Sequence, residues 1–479
     1  MSTIPALSRA QKLAYSFGQF AWASKDVSFH YFLFFYYAQF QGLSPSLAGL
    51  AALLALVADG ISDPIIGQVS DNWGRGRMGR RHPFMLVSIL PYLACLLAIF
   101  NPPDDLAQGA LFAWYLVFAI LVRSFLTLFT VPHMALGAEL SDDYTERTRI
   151  ATGRTIMGYI GGLLIQVAAW FVIIPAATSA GDTGDGYRQV GFVAAALALV
   201  GMLIAWFGTR ERIPYLKQIS DSQQQRPWWH AFQDVLQLFR MHSSRIMLLG
   251  TFFLVLKLGL ANTMLLHVNN FFWGFSSEQI GVFMLVVFLA LFPSAWLATY
   301  ATARFGKRNA VVAFVTAVAL THPIMVVAHL LGLTPPAGSS SLLLLVCLVV
   351  VINQSFSIAA INVAGALLPD VADELELRTG RRQEGILNSG IMLSQKVMFG
   401  LGTFFAGLII EYVGIAGVTE ISEVTPQMFQ RLGWIYGPGL CLFTLAGAWV
   451  FSFYRLDRQR LEAVQLELRA TRSAAGAIL

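Results

Sequence analysis

Residues 44–81 read SPSLAGLAALLALVADGISDPIIGQVSDNWGRGRMGRR, a long apolar run followed by a strongly basic loop. The run is long enough to cross the hydrocarbon core of a bilayer as a helix, which takes about 20 mostly apolar residues. Two acidic residues, Asp59 and Asp63, interrupt the run four positions apart. A basic loop directly after an apolar run is typical of the cytoplasmic end of a membrane span. The stretch therefore predicts a transmembrane helix that carries two acidic groups within the membrane.

The composition of the whole chain also indicates a membrane protein. Of its 479 residues, 56% are apolar and 12% are charged, whereas soluble globular proteins carry about 25% charged residues. This balance excludes an ordinary water-soluble enzyme and a disordered chain. The cysteines lie in apolar runs and indicate neither disulfides nor a zinc site. The basic residues lie in short loops rather than in one patch, so no nucleic-acid partner is predicted.

The apolar runs predict an all-α membrane protein with about twelve transmembrane helices in two pseudo-symmetric six-helix bundles. The predicted spans are 14–40, 46–70, 83–101, 108–136, 150–175, 189–208, 244–272, 277–301, 309–333, 341–367, 385–411 and 432–454. They are continuous and too long for the alternating segments of about ten residues found in membrane β-barrels. The predicted domains are an N-terminal bundle (1–208), a cytoplasmic linker (209–243), a C-terminal bundle (244–455) and a cytoplasmic tail (456–479).

The distribution of basic residues predicts the orientation of these spans. If the N-terminus is cytoplasmic, nearly all loop lysines and arginines fall on the inner side, and the outer loops hold only Arg188 and Arg431. Such a bias is the rule for cytoplasmic loops, so both termini are predicted to be cytoplasmic. Because no cleavable signal precedes the first span, we expect a multi-pass protein of the bacterial inner membrane. We also expect a monomer, with the lipid bilayer as its partner.

A weak internal similarity accompanies the two halves. The sequence Ser141-Asp142-Asp143-Tyr144 follows the fourth span, and Ala372-Asp373-Glu374-Leu375 follows the tenth. Corresponding motifs in two six-helix halves are the expected trace of duplicated bundles.

The two acids of the second span are the strongest functional candidates. Asp59 and Asp63 share one helix face because they are four residues apart, and ionisable groups at membrane depth are functional candidates by default. Two like charges at this spacing repel each other, so they need a cation or a proton between them. Oxygens of Asp59, Ser62 and Asp63 suit Na⁺, and a protonated aspartate suits H⁺. The structural alternative is an ion pair with Lys396 or Arg154.

The loop after the second span resembles the signature loop of the major facilitator superfamily. That pattern has a glycine, three residues, an aspartate, a variable pair, a glycine and then basic residues. Here Gly67, Asp71, Gly74 and Arg75 occupy those places, and they are predicted to form a latch that holds one conformation. The alternative is a basic inner loop that serves topology alone.

Further motifs resemble the glycoside–pentoside–hexuronide:cation symporters, typified by the melibiose permease. They are Asp59-Gly-Ile-Ser-Asp63-Pro-Ile-Ile-Gly67, Tyr15-Ser-Phe17-Gly18-Gln-Phe20, Val131-Pro132, Asp370-Val-Ala-Asp373, Glu384 and Lys396. The resemblance implies that Asp59, Ser62 and Asp63 bind the coupling cation. It also implies that Lys396 links the cation site to the solute cavity and that Arg154 lies near the solute.

The chain departs from that family where the sugar binds. Ala23 and Thr130 replace two sugar-binding aspartates of the melibiose permease, and Met134 and Ile361 replace two tryptophans. The substitutions argue against a galactoside, because carboxylates accept hydrogen bonds from sugar hydroxyls and tryptophans stack on sugar rings. Cationic side chains such as Lys25, beside Asp26, could instead hold an anionic group.

The sequence therefore predicts a secondary transporter that moves a sugar, glycoside or related small solute together with Na⁺ or H⁺. The candidate solute-binding residues are Lys396, Arg154, Lys25, Asp26, Trp22, Thr130, His133, Met134 and Gln354. Arg123 and Lys257 are further intramembrane bases, which could equally form helix–helix salt bridges or, for Arg123, reach the interface.

No cofactor is predicted, and the only metal expected is a coupling Na⁺. One alternative is a symporter of an amphiphilic or anionic solute such as a lysolipid. The other is a non-transporting receptor or assembly factor. No catalytic motif supports an enzyme.

Overall fold

The computed structural model describes residues 7–71, 73, 78–216, 241–379, 384–418, 420–456 and 460–468, and all regular secondary structure in these ranges is helical. The earlier helices are α1 (Arg9–Phe17), α2 (Gln19–Val27), α3 (Phe34–Gln39), α4 (Pro45–Asp71), α5 (His82–Phe100), α6 (Gln108–Glu139), α7 (Tyr144–Ala168), α8 (Ile174–Ser179) and α9 (Thr183–Thr209). The later helices are α10 (His242–His267), α11 (Ser277–Val287), α12 (Leu291–Leu330), α13 (Ser340–Gly365), α14 (Leu368–Thr379), α15 (Glu384–Val413), α16 (Pro426–Trp434) and α17 (Leu440–Ser452).

The predicted membrane-spanning helices are present. Among the described residues, 10 helical segments are long and apolar enough to cross a membrane. One of them, Ser277–Leu330, contains two crossings, because the backbone breaks at Gly306, where φ is 77°. The first crossing comes in addition and is built from α1, α2, the π-helical turn Ser28–Leu33 and α3. The described chain therefore accounts for twelve crossings, and the prediction of an all-α membrane fold is confirmed.

The first compact unit comprises Met1–Trp228 and Thr403–Thr419. In it, α4 packs along α6, α5 packs against α6 and α9, and α1 and α2 pack against α7 and α9. Small residues let these helices approach closely: a Cβ on Gly201 would lie 2.5 Å from the carbonyl oxygen of Phe17. The Tyr92 hydroxyl donates to the carbonyl oxygen of Ala21 at 3.0 Å. The first span is thereby fixed inside the bundle, next to α4 and α6.

The second compact unit comprises Trp229–Gly402 and Glu420–Leu479. Its main helix pairs are α12 with α13, α10 with α17 and α12 with α17. Helices α10 and α15 approach each other through Gly259 and Gly402, since a Cβ on Gly402 would lie 3.0 Å from the Cα atom of Gly259 and would clash with the carbonyl oxygen of Leu256. This crossing fixes the position of α15, the helix that carries Lys396.

Several predicted features lie outside the described residues. They are Gly74 and Arg75 of the signature loop, residues 217–240 of the linker, and residues 457–459 and 469–479 of the tail. Asp71 ends α4, but its side chain is also outside the described part. The domain boundaries given in the sequence analysis therefore stay a prediction.

We predict that Gly402→Ala destabilises the protein by about 1–3 kcal/mol, because the added methyl group overpacks the contact between α10 and α15. Gly365→Ala is the matched control, since no atom lies within 4 Å of a Cβ at that helical position. The control is expected to be neutral or slightly stabilising. Thermal unfolding of both variants in detergent measures the difference. A Gly402→Ala melting temperature equal to that of the control would contradict the packing described here.

Candidate functional site

The two acids of the second span lie inside the first unit, on the face of α4 that packs against α6. The Asp59 side chain is buried, with 8% of the residue exposed, and Asp63 is half-buried one turn further along. Helix α6 presents two polar side chains to them, Arg123 and Thr127, which are both buried. Each pair of residues is spaced by four positions, so each forms a single polar stripe on its helix. The two stripes meet where the helices pack.

Thr127 connects the two carboxylates. Its hydroxyl oxygen lies 2.9 Å from Oδ1 of Asp63 and 3.4 Å from Oδ1 of Asp59. A hydroxyl group has one hydrogen to donate, so it can donate fully to only one carboxylate at a time. Its lone pairs stay available to a cation. Three oxygens from two helices therefore converge at one point inside the membrane.

Arg123 contacts the second carboxylate oxygen of Asp59, Oδ2, which Thr127 does not contact. Its Nη1 lies 3.5 Å from Oδ2 of Asp59, and the ring of Phe29 lies under its guanidinium, 5.2 Å from the central carbon. The contact is a single long one rather than the bidentate pairing that arginine forms with carboxylates at best. Arg123 thus neutralises the pair in part.

Ser62 also lies on this part of α4. Its hydroxyl donates to the carbonyl oxygen of Asp59 at 3.1 Å, so the hydrogen is used within the helix. The oxygen remains a potential ligand for a cation, as the sequence predicts. Among the described residues, no group of three or more histidine, cysteine or acidic side chains is arranged for a metal ion, so a tight transition-metal site is not indicated there.

A second polar cluster lies on the first span. Nζ of Lys25 lies 3.6 Å from Oδ1 of Asp26, and Nδ1 of His30 lies 3.3 Å from the same oxygen. Arg123 of α6 is within electrostatic range of Asp26 as well. The cluster lies where the first span passes from α2 into its π-helical turn, a backbone irregularity that is frequent at functional sites.

A third group lies between α1, α6 and α7. Nε2 of His133 lies 2.8 Å from the carbonyl oxygen of Tyr15, and the two rings stack with their centroids 4.3 Å apart. Arg154 interacts with the Tyr15 hydroxyl. These contacts place His133 in the interior of the first unit, 1% exposed, in the contact between α1 and α6.

The remaining predicted solute-binding residues occupy more open positions. Trp22 and Met134 are 41% and 51% exposed in the first unit, and Thr130 is half-buried there. Gln354 on α13 and Lys396 on α15 are half-buried in the second unit. Their role in solute binding stays a prediction.

The predicted latch region contains an ion-pair network. Gly67 lies against Val131 of α6, 3.8 Å from its Cγ1 if a Cβ is built there. Beyond it, Glu139 at the end of α6 binds Arg80 at 2.5 Å and Arg81 at 3.1 Å. Nη1 of Arg81 also donates to the Ser70 hydroxyl at 2.9 Å. This network ties together the ends of α4 and α6 and the start of α5.

The second unit repeats this arrangement. Arg80 and Arg81 follow Gly79, which has a φ of 66°, and Lys307 and Arg308 follow Gly306, which has a φ of 77°. Nζ of Lys307 lies 2.7 Å from both carboxylate oxygens of Asp370. Glu139 and Asp370 each precede by two residues the similar motifs seen in the sequence. The internal similarity therefore has a structural counterpart: a glycine turn, two bases and an acid on a later helix, at the end of α6 in the first unit and in the first turn of α14 in the second.

Comparison with known proteins gives the family. A family model described as MFS/sugar transport protein matches residues 14–458. The chain belongs to this family. Its similarity to cation symporters agrees with the resemblance drawn from the second-span motif, and membership makes the chain a multi-pass membrane transporter of small solutes rather than an enzyme.

The proteins that this chain resembles are named for different solutes. The putative glycoside/cation symporter YagG of Escherichia coli (strain K12) is 25% identical, over 98% of this chain and 97% of that protein. The sodium-dependent lysophosphatidylcholine symporter 1 of Gallus gallus is 24% identical, over 95% of this chain and 88% of that protein. The crystal structure of the nucleoside transporter NupG has a TM-score of 0.63 at 16% identity and covers 94% of this chain and 100% of that chain. The last comparison shows a shared fold.

We predict that Glu139→Gln destabilises the protein by about 3–5 kcal/mol, because it leaves two largely buried guanidinium groups without their carboxylate. Asp142→Asn is the matched control, since its ion pair with Arg147 is solvent-exposed, with 43% and 58% of the two side chains accessible. An exposed pair contributes about 0–1 kcal/mol. Thermal unfolding in detergent compares them. Equal melting temperatures for the two variants would show that the network at Glu139 does not stabilise the fold.

Proposed function

We propose that this transporter is a Na⁺-coupled symporter of a small organic solute, with its cation site at Asp59, Asp63 and Thr127. The observation that carries the proposal is the position of the Thr127 hydroxyl, 2.9 Å and 3.4 Å from oxygens of the two carboxylates. Hard cations prefer such oxygen ligands. Because the ligands belong to α4 and α6, an ion bound here also joins two helices.

The charge of the site supports a mobile cation. Isolated carboxylates at membrane depth are costly, and Arg123 offsets part of one of them. A Na⁺ ion between the two acids would lessen their repulsion, with Ser62 as a further oxygen ligand. A proton shared by the carboxylates is the second candidate for the coupling ion. The fixed alternative is a permanent ion pair with Lys396, and transport assays distinguish these three cases.

Alternating access explains how this site would drive transport. In transporters built from repeated bundles, the bundles rock around a site near the midplane. We infer that the halves are residues 1–208 and 244–455, joined by the linker 209–243, with both termini in the cytoplasm of a bacterial cell. Lys396 would sense whether the acids are neutralised. A membrane potential adds about 2.3 kcal/mol per charge per 100 mV, which drives accumulation.

The proposed solute is a sugar, a glycoside or a related molecule, in line with the family. A second candidate is an amphiphile or an anion, because the two residues that replace the sugar-stacking tryptophans are apolar. Met134 is 51% exposed in the first unit, and Ile361 is 44% exposed in the second. Exposed apolar side chains suit an acyl chain better than sugar hydroxyls. Arg154 and Lys396 would bind an anionic group in that case.

We predict that Asp59→Asn, Asp63→Asn and Thr127→Val each reduce Na⁺-driven solute accumulation in proteoliposomes by about tenfold or more, which corresponds to about 1.4 kcal/mol. The aspartate variants lose the negative charge that attracts Na⁺, and the threonine variant loses a ligand oxygen. Matched controls are Asp104→Asn, whose side chain is 83% exposed, and Thr155→Val, an exposed position on α7. Both controls are expected to accumulate solute as the wild type does.

The same assay separates the alternatives. Accumulation under a proton gradient but not under a Na⁺ gradient would show that the coupling ion is H⁺ rather than Na⁺. Normal Na⁺-driven accumulation in either aspartate variant would remove that residue from the cation site.

A ligand panel identifies the solute class. Purified protein is heated with glycosides, uronates, sulfonates or lysolipids, and we expect one class to raise the melting temperature. Lys396→Gln and Arg154→Gln should weaken the binding of an anionic or sugar ligand by about tenfold, since each removes a charged hydrogen-bond donor. Unchanged affinity in both variants would contradict their placement at the solute site.

A further inference from the structure

Arg123 has most of its bonding capacity unused within the described residues. A guanidinium group has five N–H donors, and Arg123 makes one hydrogen bond, of 3.5 Å, to Oδ2 of Asp59. Its Nε is buried and has no hydrogen-bond partner among the described residues, and the residue is only 6% exposed. Leaving buried charged donors unsatisfied costs free energy. The side chain is therefore held at the site without being saturated by it, and it gains by forming further contacts.

Two acids on different helices attract this arginine. Asp59 on α4 accepts its hydrogen bond, and Asp26 at the end of α2 lies three residues before Phe29, whose ring is in contact with the guanidinium group. Lys25 and His30 also surround Asp26, at 3.6 Å and 3.3 Å from Oδ1. From α6, Arg123 thus faces both the second and the first span. Phe29 of the first span covers its guanidinium at 5.2 Å, which favours a cation at this place.

We propose that Arg123 is a counter-ion shared between Asp59 and Asp26, and that it competes with Na⁺ for the carboxylate pair. When Na⁺ binds between Asp59 and Asp63, Asp59 needs less of the arginine charge, and the interaction of Arg123 with Asp26 strengthens. Occupancy of the cation site is then transmitted from α4 to the first span. This inference rests on the proposed Na⁺ site. It adds that Arg123 lowers the affinity of this site for Na⁺ and that Arg123 couples Na⁺ binding to the first span.

The first test removes the competitor. Arg123→Gln is expected to lower the Na⁺ concentration at half-maximal binding by about tenfold or more, because a positive charge beside the ligand Asp59 is gone. The readout is the Na⁺-dependent rise in melting temperature of the purified full-length protein, with choline chloride holding the ionic strength constant. Arg123→Lys keeps the charge and should remain near the wild-type midpoint. Arg147→Gln removes an exposed arginine and should leave the midpoint unchanged.

The second test examines the sharing with Asp26. Asp26→Asn is expected to weaken Na⁺ binding severalfold, because Arg123 then turns fully to Asp59. In the Arg123→Gln background the same substitution should have little effect. A double-mutant cycle measures this coupling. Equal effects of Asp26→Asn in both backgrounds would overturn the sharing, because Asp26 would then act on Na⁺ without Arg123.

The outcomes separate this inference from the proposed function. If Na⁺ stabilises neither the wild type nor Arg123→Gln, the Na⁺ site itself is wrong, and this inference fails with it. If Na⁺ stabilises the wild type and the midpoint of Arg123→Gln is unchanged, only the role of Arg123 is overturned. Should Arg123→Gln fail to fold, Arg123→Met takes its place in the cycle: a smaller effect of Asp26→Asn in that background than in the wild type supports the proposal, and an equal effect contradicts it.

Discussion

The placement of two carboxylates on one face of a membrane helix constrains the rest of the first unit. Each acid at the centre of a membrane helix costs about 2.5–3.5 kcal/mol on insertion scales, and the two repel each other. Helix α6 contributes Arg123 and Thr127. They contact Asp59 and Asp63 through one ion pair and two hydroxyl contacts. Because α4 and α6 pack along their length, the polar stripes stay in register. A mobile cation bound between the two acids would lessen their mutual repulsion.

Around this centre, the described polar groups form separate clusters with different structural roles. The cluster of Lys25, Asp26 and His30 lies on the first span, next to Arg123. The stacked pair of Tyr15 and His133 fixes α1 against α6. At the end of α6, the Glu139 network holds the neighbouring helix ends, and the Lys307–Asp370 pair does the same in the second unit. The ion pairs of the two repeated networks are short, whereas the contact of Arg123 with Asp59 is a single long one of 3.5 Å.

The sequence predicted the elements whose signals are local. Long apolar runs gave the spans, and the spacing of Asp59 and Asp63 marked the acidic face of the second one. Thr127 was missed, because a single hydroxyl in an apolar helix is usually a packing residue and Thr130 stood at the family position. Its four-residue spacing from Arg123, which matches that of the acids, was the available signal. Which base would meet Asp59 could not be read from the sequence, because it depends on the packing of α4 against α6. His133 shows the same limit, since its partner is a backbone carbonyl of α1.

A mobile cation is proposed to bind at the acidic pair of the second span. Equilibrium binding of radioactive Na⁺ to the purified protein, without any solute, tests it most directly. We expect saturable binding of a single Na⁺ ion per chain, and this binding should disappear when both carboxylates are replaced by amides. Absence of binding to the wild type, or binding that survives the double replacement, would contradict it.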